Sequence, residues 1–312
     1  MANVVELPAE RTLQEESPSL WRITFRRLMR QRSALFGLSI LSVLVIIAAF
    51  APMIAPYDPT EVLIGKEDVK KRSAPCIHML GCPEEQPQHL MGTDGNVRDV
   101  FSRIVFGARI SLQIGMIVVF IAATSGIVLG SIAGYAGGWI DNLIMRLMDI
   151  VLAFPFFLLA IALVFVLGPS LNNAMLAIAV ISMPTYARVV RSTVLSIREM
   201  DYVEASRALG ATDRDILFKR ILPNAMPPLI VLATLGIATA ILDTAALSFL
   251  GLGAQEPMAE WGTMLGRERN QIFSAPHLVL IPGIMISITV LAFNLLGDGL
   301  RDALDPRLVH NK

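Results

Sequence analysis

The chain of 312 residues is 54% apolar and 17% charged, against roughly 45–50% and 25% in soluble domains, which argues against a water-soluble globule. Its 26 Lys/Arg and 26 Asp/Glu cancel to a net charge of zero, so no global positive field attracts nucleic acid. Two cysteines are too few for a disulfide-built mini-protein, or for a four-thiolate zinc or iron–sulfur site made by this chain alone.

Residues 1–20 are polar and aperiodic, the pattern of a mobile tail. Arg22, Arg26, Arg27, Arg30 and Arg32 then form the densest basic cluster, just before an uncharged run from Ser33 to Tyr57. A membrane span needs about 20 apolar residues to cross roughly 30 Å of hydrocarbon, and this run is long enough. It exceeds the apolar core of a cleaved signal peptide, and its basic prefix is too extended for one. Further uncharged runs cover Ile110–Ile140, Ile150–Ala187, Ile221–Leu242 and Asn270–Gly297. As one helix the second of these would measure about 57 Å, nearly twice the hydrocarbon thickness. Its middle reads Gly168-Pro169-Ser170-Leu171-Asn172-Asn173, so it divides into two spans joined by a turn.

Six transmembrane helices are therefore predicted near residues 34–56, 109–134, 142–167, 172–196, 222–252 and 277–300. The fold class is all-α, a polytopic membrane protein. An even number of spans puts both termini on one side. With the N-terminus inside, 17 Lys/Arg fall in cytoplasmic segments and nine outside, the sense expected of the positive-inside rule. The expected organisation is a cytoplasmic tail and basic segment at 1–33, a first span at 34–56 and an extracytoplasmic loop at 57–105. A five-helix core at 106–302 contains a cytoplasmic loop at 198–221, and a cytoplasmic tail follows at 303–312.

The 57–105 loop mixes charges with Pro59, Pro75, Pro83 and Pro87. Cys76 and Cys82 enclose five residues there, and in an oxidising compartment a local disulfide is expected, worth roughly 2 kcal/mol for so short a ring. Free thiols are one alternative, and a metal site drawing on His78 or His89 is another. In the second span Gly126, Gly130 and Gly134 recur every four residues, one helical face without side chains on which another helix can pack closely. Pro155, Pro184, Pro227 and Pro228 each remove a backbone donor and favour kinks. Arg146 and Asp149 are spaced for an i,i+3 ion pair. Asp243 lies deeper in the fifth span, where a carboxylate is costly and faces either protein or water. It is a candidate for the translocation pathway or for a buried interhelical hydrogen bond. His277 reads as an interfacial residue.

The loop at 198–221 has internal order of its own. One short helix is expected from about Asp201 to Leu209, with Asp201 as its cap and Gly210 in the left-handed conformation that closes a helix. A second starts at Thr212, where Thr-x-x-Asp to Asp215 resembles a capping box. Small residues at Ala205, Ser206, Ala208 and Gly210 leave one face flat, which suits docking. Glu204-Ala205-Ser206, Gly210 and Leu222-Pro223 resemble the Glu-Ala-Ala, Gly and Leu-Pro pattern in the cytoplasmic loop of the membrane subunits of ATP-binding-cassette importers. Ser206 replaces the second Ala, and Arg220 stands where that pattern has isoleucine, with Ile221 beside it.

Three other stretches are similar to the peptide and nickel branch of that family, and to the shorter-loop partner of its two membrane subunits. The first is His89-Leu90-Met91-Gly92-Thr93-Asp94 with Arg98–Arg103 and Gly107–Leu112; the second is Leu247–Gly253; the third is Gly297–Pro306. Two features depart from the pattern: Asp243-Thr244 moves by one position a carboxylate that the family often carries as Glu, and the Cys76–Cys82 loop is longer than usual.

The resemblance implies a non-catalytic permease subunit of an ATP-driven importer, forming half of the pathway for peptides or a related small solute in a prokaryotic inner membrane. Its implied partners are a second homologous permease subunit, two ATP-binding-cassette ATPase subunits and an extracytoplasmic solute-binding protein. Coupling to the ATPase is assigned to Asp201, Tyr202, Glu204, Ala205, Ser206, Ala208, Leu209 and Gly210. The chain has no Gly-x-x-x-x-Gly-Lys-Ser/Thr motif, so no cofactor is expected on it, and ATP and Mg would be bound by the partner subunits. A self-sufficient secondary transporter or channel is the rival reading, which would favour internal repeats and more intramembrane charge. An intramembrane enzyme would need His/Glu or Ser/His/Asp sets inside the spans, and the four histidines do not supply them.

Overall fold

The computed structural model describes residues 20–304; the expected tail at 1–19 and the end of the chain from 305 lie outside the described residues. Twelve helices follow in order. They are α1 (Leu20–Leu28), α2 (Arg32–Ala49), α3 (Ala51–Ile54), α4 (Val100–Ala136), α5 (Gly138–Leu152) and α6 (Phe156–Leu167), then α7 (Leu171–Arg198), α8 (Asp201–Ala208), α9 (Asp213–Asp215), α10 (Leu222–Phe249), α11 (Trp261–Glu268) and α12 (His277–Leu304). Among the described residues no strand forms, only isolated bridges such as Cys76 with His89. Five stretches are continuous, apolar and long enough to cross a membrane: α2, α4, α7, the run Asp213–Phe249 and α12. In lipid a helix satisfies every interior backbone group, which is why these apolar sequences resolve into helices.

The third expected span differs from its expected form. Instead of one kinked helix near 142–167, α5 and α6 meet at 92° across Ala153–Pro155. Pro155 supplies no N–H to continue α5, and its fixed φ instead starts α6. The pair is either one broken span or a re-entrant loop. Two further corrections concern charge and length. Asp149 pairs with Arg188 of α7 at 2.6 Å rather than with Arg146. Helix α4 begins at Val100, well inside the expected 57–105 loop, because Asp99 caps it by accepting the Ser102 N–H at 2.7 Å.

Helices α4 and α7 make the most extensive contact in the molecule. Gly126, Gly130 and Gly134 all face α7: a Cβ at Gly126 would sit 2.5 Å from Tyr186 Cβ, one at Gly130 2.8 Å from Val190 Cβ, and one at Gly134 2.9 Å from Val194 Cβ. Around this seam Val118, Val119, Ala122, Ile178, Ile181 and Tyr186 form the main apolar cluster.

The end of the bundle carrying the 55–99 segment is polar and internally cross-linked. Cys76 and Cys82 form a disulfide with a Cα separation of 5.4 Å. Asp94 accepts from Arg98 Nε at 2.7 Å, and Arg98 Nη2 donates to Glu256 Oε1 at 2.8 Å, tying this segment to the α10–α11 connection. Arg103 is buried and donates to the carbonyls of Pro59, Pro257 and Met258. Glu260, also buried, caps α11 through the Gly262 and Thr263 N–H groups, and Trp261 Nε1 donates to the Ile104 carbonyl at 3.1 Å. Burial holds the Glu260 carboxyl above its ordinary pKa, against the lowering effect of those N–H bonds.

His89 is buried with Nδ1 2.9 Å from Asp99 Oδ1 and Nε2 3.1 Å from Glu67 Oε2. Both nitrogens can donate to carboxylates only in the imidazolium form. Burial alone would depress its pKa, but the hydrogen bonds and charges of Asp99 and Glu67 outweigh that and raise it above 6.5. Tyr57 stacks on the imidazole at 5.2 Å and donates to Glu67 Oε1 at 2.9 Å, and burial together with Glu67 pushes its own pKa up to about 12.

Two predictions follow from this packing. Replacing Gly126 or Gly130 by Val drives a branched side chain into α7 and should destabilise the fold by about 1–3 kcal/mol; thermal unfolding of the detergent-purified chain measures this, and an unchanged melting temperature would count against the seam. The stability contributed by charged His89 is complete below its ordinary value of 6.5 and is lost as pH rises through the raised folded value. The melting temperature should therefore fall with rising pH over that window. His89→Gln should remove this pH dependence and melt lower at acidic pH.

Candidate functional site

Two features stand apart from the scaffold: a small exposed helix at the end opposite the disulfide, and a cavity within the helical bundle. The helix is α8. Its N-cap is Met200, with Asp201 as the first helical residue, which corrects the expectation that Asp201 caps it. Helix α8 ends by a double closure: Gly210 N–H bonds to the Arg207 carbonyl at 3.0 Å and Ala211 N–H to the Ser206 carbonyl at 3.1 Å. That closure needs a left-handed residue, and Gly210 has φ +83°.

One apolar side chain packs α8 onto the bundle. Val203 is 0% exposed and packs in a cluster with Val190, Val194 and Ile197 of α7 and Ile216 and Ile221 beyond α9. Asp201, Tyr202, Glu204, Ala205 and Ala208 are exposed, Ser206 is half-buried, and Leu209 is 88% exposed. Ser206 Oγ donates to the Tyr202 carbonyl at 2.7 Å. Asn224 of α10 donates to Tyr202 Oη at 3.2 Å and to the Arg220 carbonyl at 2.6 Å. After Thr212, whose Oγ1 caps α9 by accepting the Asp215 N–H at 3.2 Å, the chain makes a π-helical turn over Ile216–Ile221 and runs directly into α10. Tyr135 Oη, at the end of α4, donates to Asp213 Oδ1 at 2.5 Å, and Arg198 Nη1 donates to the Tyr135 carbonyl at 3.1 Å.

The composite is a nearly bare helix on a rigid seat. The sequence motif marked its exposed positions, but not Val203, Tyr135 or Arg198. Val203 is legible in hindsight as the lone β-branched residue of an otherwise polar and small segment. The contacts of Tyr135 and Arg198 are long-range in sequence, and no local signal announces them.

The cavity, of about 370 Å³, lies between α4, α7, α10 and the break between α5 and α6. Val119, Phe154, Ser182, Tyr186 and Thr239 line it, and Asp243 is its one charged lining residue. The structure thus places Asp243 in a cavity, with no interhelical hydrogen bond or ion pair from it among the described residues. Gly126, Gly130 and Gly134 lie on the α4–α7 seam, and Cys76 and Cys82 lie at the far end of the bundle. Among the described residues no group of three or more His, Cys, Asp or Glu is placed to hold a metal.

A family model described as "Binding-protein-dependent transport system inner membrane component" matches residues 126–310. A second, described as the N-terminal TM domain of oligopeptide transport permease C, matches residues 19–75. The chain is 49% identical over 290 residues to the dipeptide transport system permease protein DppC of Alkalihalophilus pseudofirmus, covering 93% of this chain and 91% of that one. It is 46% identical to the di/tripeptide transport system permease protein DppC of Pseudomonas aeruginosa, covering 93% of each. It is 43% identical to the glutathione transport system permease protein GsiD of Escherichia coli, covering 92% and 91%. Among solved structures, a chain of the inward-facing MetNI methionine ABC transporter aligns with a TM-score of 0.55 at 22% identity, over 65% of this chain and 96% of that one, a likeness of fold. The chain belongs to the family of binding-protein-dependent transport system inner membrane components, the membrane permease subunits of ATP-binding-cassette importers.

Proposed function

We propose that this subunit forms half of the translocation pathway for peptides or a related small solute, and that α8 is the element through which separate ATPase subunits drive it. The observation that carries the reading is α8 itself. An 88% exposed Leu209 and a flat run of small residues face outward from a helix held in place by a fully buried Val203. Leaving Leu209 in water forgoes roughly 1.5–3 kcal/mol of burial, which a groove on a partner would recover.

In this reading the partners are a second, homologous permease subunit, two ATPase subunits on the cytoplasmic side and a solute-binding protein outside. The chain lies in a prokaryotic inner membrane with both termini cytoplasmic, the arrangement favoured by the Arg26, Arg27, Arg30 and Arg32 cluster. This chain carries out no covalent step and binds no cofactor; ATP and Mg are held by the ATPase partners. Moving an inward-to-outward equilibrium from 1:99 to 99:1 requires about 5.5 kcal/mol of differential binding. Closure of an ATPase dimer on ATP can deliver that through a docked helix only if the helix is rigidly seated. The Val203 cluster and the Tyr135–Asp213 bond provide that seat. The peptide assignment rests on the names of the relatives, which span dipeptides, di- and tripeptides and glutathione.

Gentle detergent purification of the tagged chain from its host should bring down Walker A-containing subunits and a second permease. Leu209→Asp should leave the chain in the membrane and abolish both ATPase co-purification and ATP-dependent uptake. A bulky residue at Glu204, or Val at Gly210, where φ is +83°, should do the same. Unchanged uptake in all three variants would sink the docking assignment. A stable homo-oligomer without any ATPase would favour a secondary transporter or channel.

A further inference from the structure

Helix α10 presents Leu232, Gly236, Thr239 and Asp243 to the cavity. These positions recur at helical spacing and form one stripe. Across from them stand Ser182 and Tyr186 of α7. The cavity is thus a mainly apolar chamber with a few hydroxyls and one carboxylate. Such sites are typically lined by apolar groups, with a small number of polar ones fixing the orientation of the ligand.

The basic residues on the facing stretch of α7 are already engaged. Arg188 is paired with Asp149 at 2.6 Å and Arg191 with Asp141. Asp243 forms no ion pair among the described residues. An ionisable group at membrane depth is costly unless something answers its charge, and it marks a functional site by default. A metal ion is a poor candidate for that answer, since among the described residues no second or third carboxylate, His or Cys joins Asp243 to complete a ligand set. A protonated amine needs only one carboxylate, supplemented by hydroxyl acceptors of the kind Ser182 and Thr239 offer.

We infer that Asp243 is a cation-recognition point in the transmembrane cavity, where its carboxylate receives the ammonium group of the solute in transit. The inference rests on the reading of this cavity as part of the pathway, and it narrows the solute class to molecules carrying a protonated amine.

The test uses the complex as purified with its co-purifying subunits and reconstituted in vesicles. Thr239→Cys, one helical turn from Asp243, gives this chain a single free thiol, because Cys76 and Cys82 are joined to each other. Its rates of modification by a cationic trimethylammonium thiosulfonate and by an anionic sulfonate thiosulfonate are followed by mass spectrometry of this chain. The cationic-to-anionic rate ratio should fall about ten-fold when Asp243→Asn is added, equivalent to about 1.4 kcal/mol, and Asp243→Glu should restore it. A ratio that Asp243→Asn leaves unchanged overturns the inference while leaving the pathway reading intact. A thiol that neither reagent reaches and no solute protects overturns the pathway reading, and the inference with it.

Should Asp243→Asn fail to assemble, the comparison moves to single thiols at Thr239 and at Leu232, which lies about three turns from Asp243 on the same stripe. The ratio should be higher at Thr239, and equal ratios overturn the proposal. At saturating solute, Asp243→Asn should also shift relative uptake from Lys-Ala toward Asp-Ala. Retained uptake with an unshifted preference would likewise overturn it.

Discussion

The close approach of α4 to α7 is the constraint on which the rest of the molecule depends. Lipid offers no hydrophobic drive to bring two apolar helices together, so their association rests on packing and on how near the backbones can come. Three glycines at four-residue spacing remove the side chains that would hold the helices apart, and Tyr186, Val190 and Val194 fill the space instead. That one seam orients both the cavity and α8. Tyr186, set against Gly126, is a wall of the cavity, while Val194, set against Gly134, belongs to the cluster that receives Val203 and so seats α8.

The broken span shows a second way of fastening helices. Helices α5 and α6 cannot stack end to end, and α5 is held on α7 by two ion pairs, Asp141 with Arg191 and Asp149 with Arg188. The first is bidentate, with Arg191 Nη2 2.5 Å from Asp141 Oδ2, a geometry that adds direction as well as energy. The second is about half-exposed on both sides, and in water a pair of that kind contributes only about 0–1 kcal/mol. Near a membrane boundary its value lies in what it prevents, since either charge alone would have to reach water to be tolerated. The break also opens the cavity, because Phe154, between α5 and α6, faces into it.

Much of this was legible in the chain, for identifiable reasons. Long uncharged runs mark spans because the hydrocarbon thickness is fixed, and the Gly168–Asn173 turn divided the longest of them correctly. Glu204 and Ala205 fall on the exposed surface of α8, Ser206 is half-buried beside them, and Gly210 sits at its closure, where a left-handed residue is needed. What escaped was tertiary. Arg146 is the nearest cation to Asp149 in sequence, yet Arg188 answers it from another helix. Pro155 announced a bend but not a 92° turn, since a proline sets φ and withholds a donor without fixing where the next helix goes. The buried polar cap of His89, Asp94, Arg98, Arg103 and Glu260 read as loop. Its order comes from hydrogen bonds between residues up to 158 positions apart, which no local pattern encodes.

Helix α10 is the element through which the exposed helix and the cavity can communicate. Its first turns share an apolar cluster with α8, through Ala225 and Leu229 beside Val203 and Ile221, and its later turns carry Thr239 and Asp243 into the cavity. Between α9 and α10 lies a π-helical turn at Ile216–Ile221, a local register defect of the kind frequently found at functional sites. Pro227 and Pro228 follow within α10 and withdraw two N–H donors from its ladder. A force applied at α8 therefore meets a stiff joint at Val203 and then a softened stretch of helix before reaching the carboxylate. In the proposed reading, a rigid seat followed by a compliant shaft would let α8 move as a body with a docked partner while the cavity wall shifts by less. A rigid rod from end to end would instead carry any displacement of α8 undiminished into the contacts of α10 with α4 and α7.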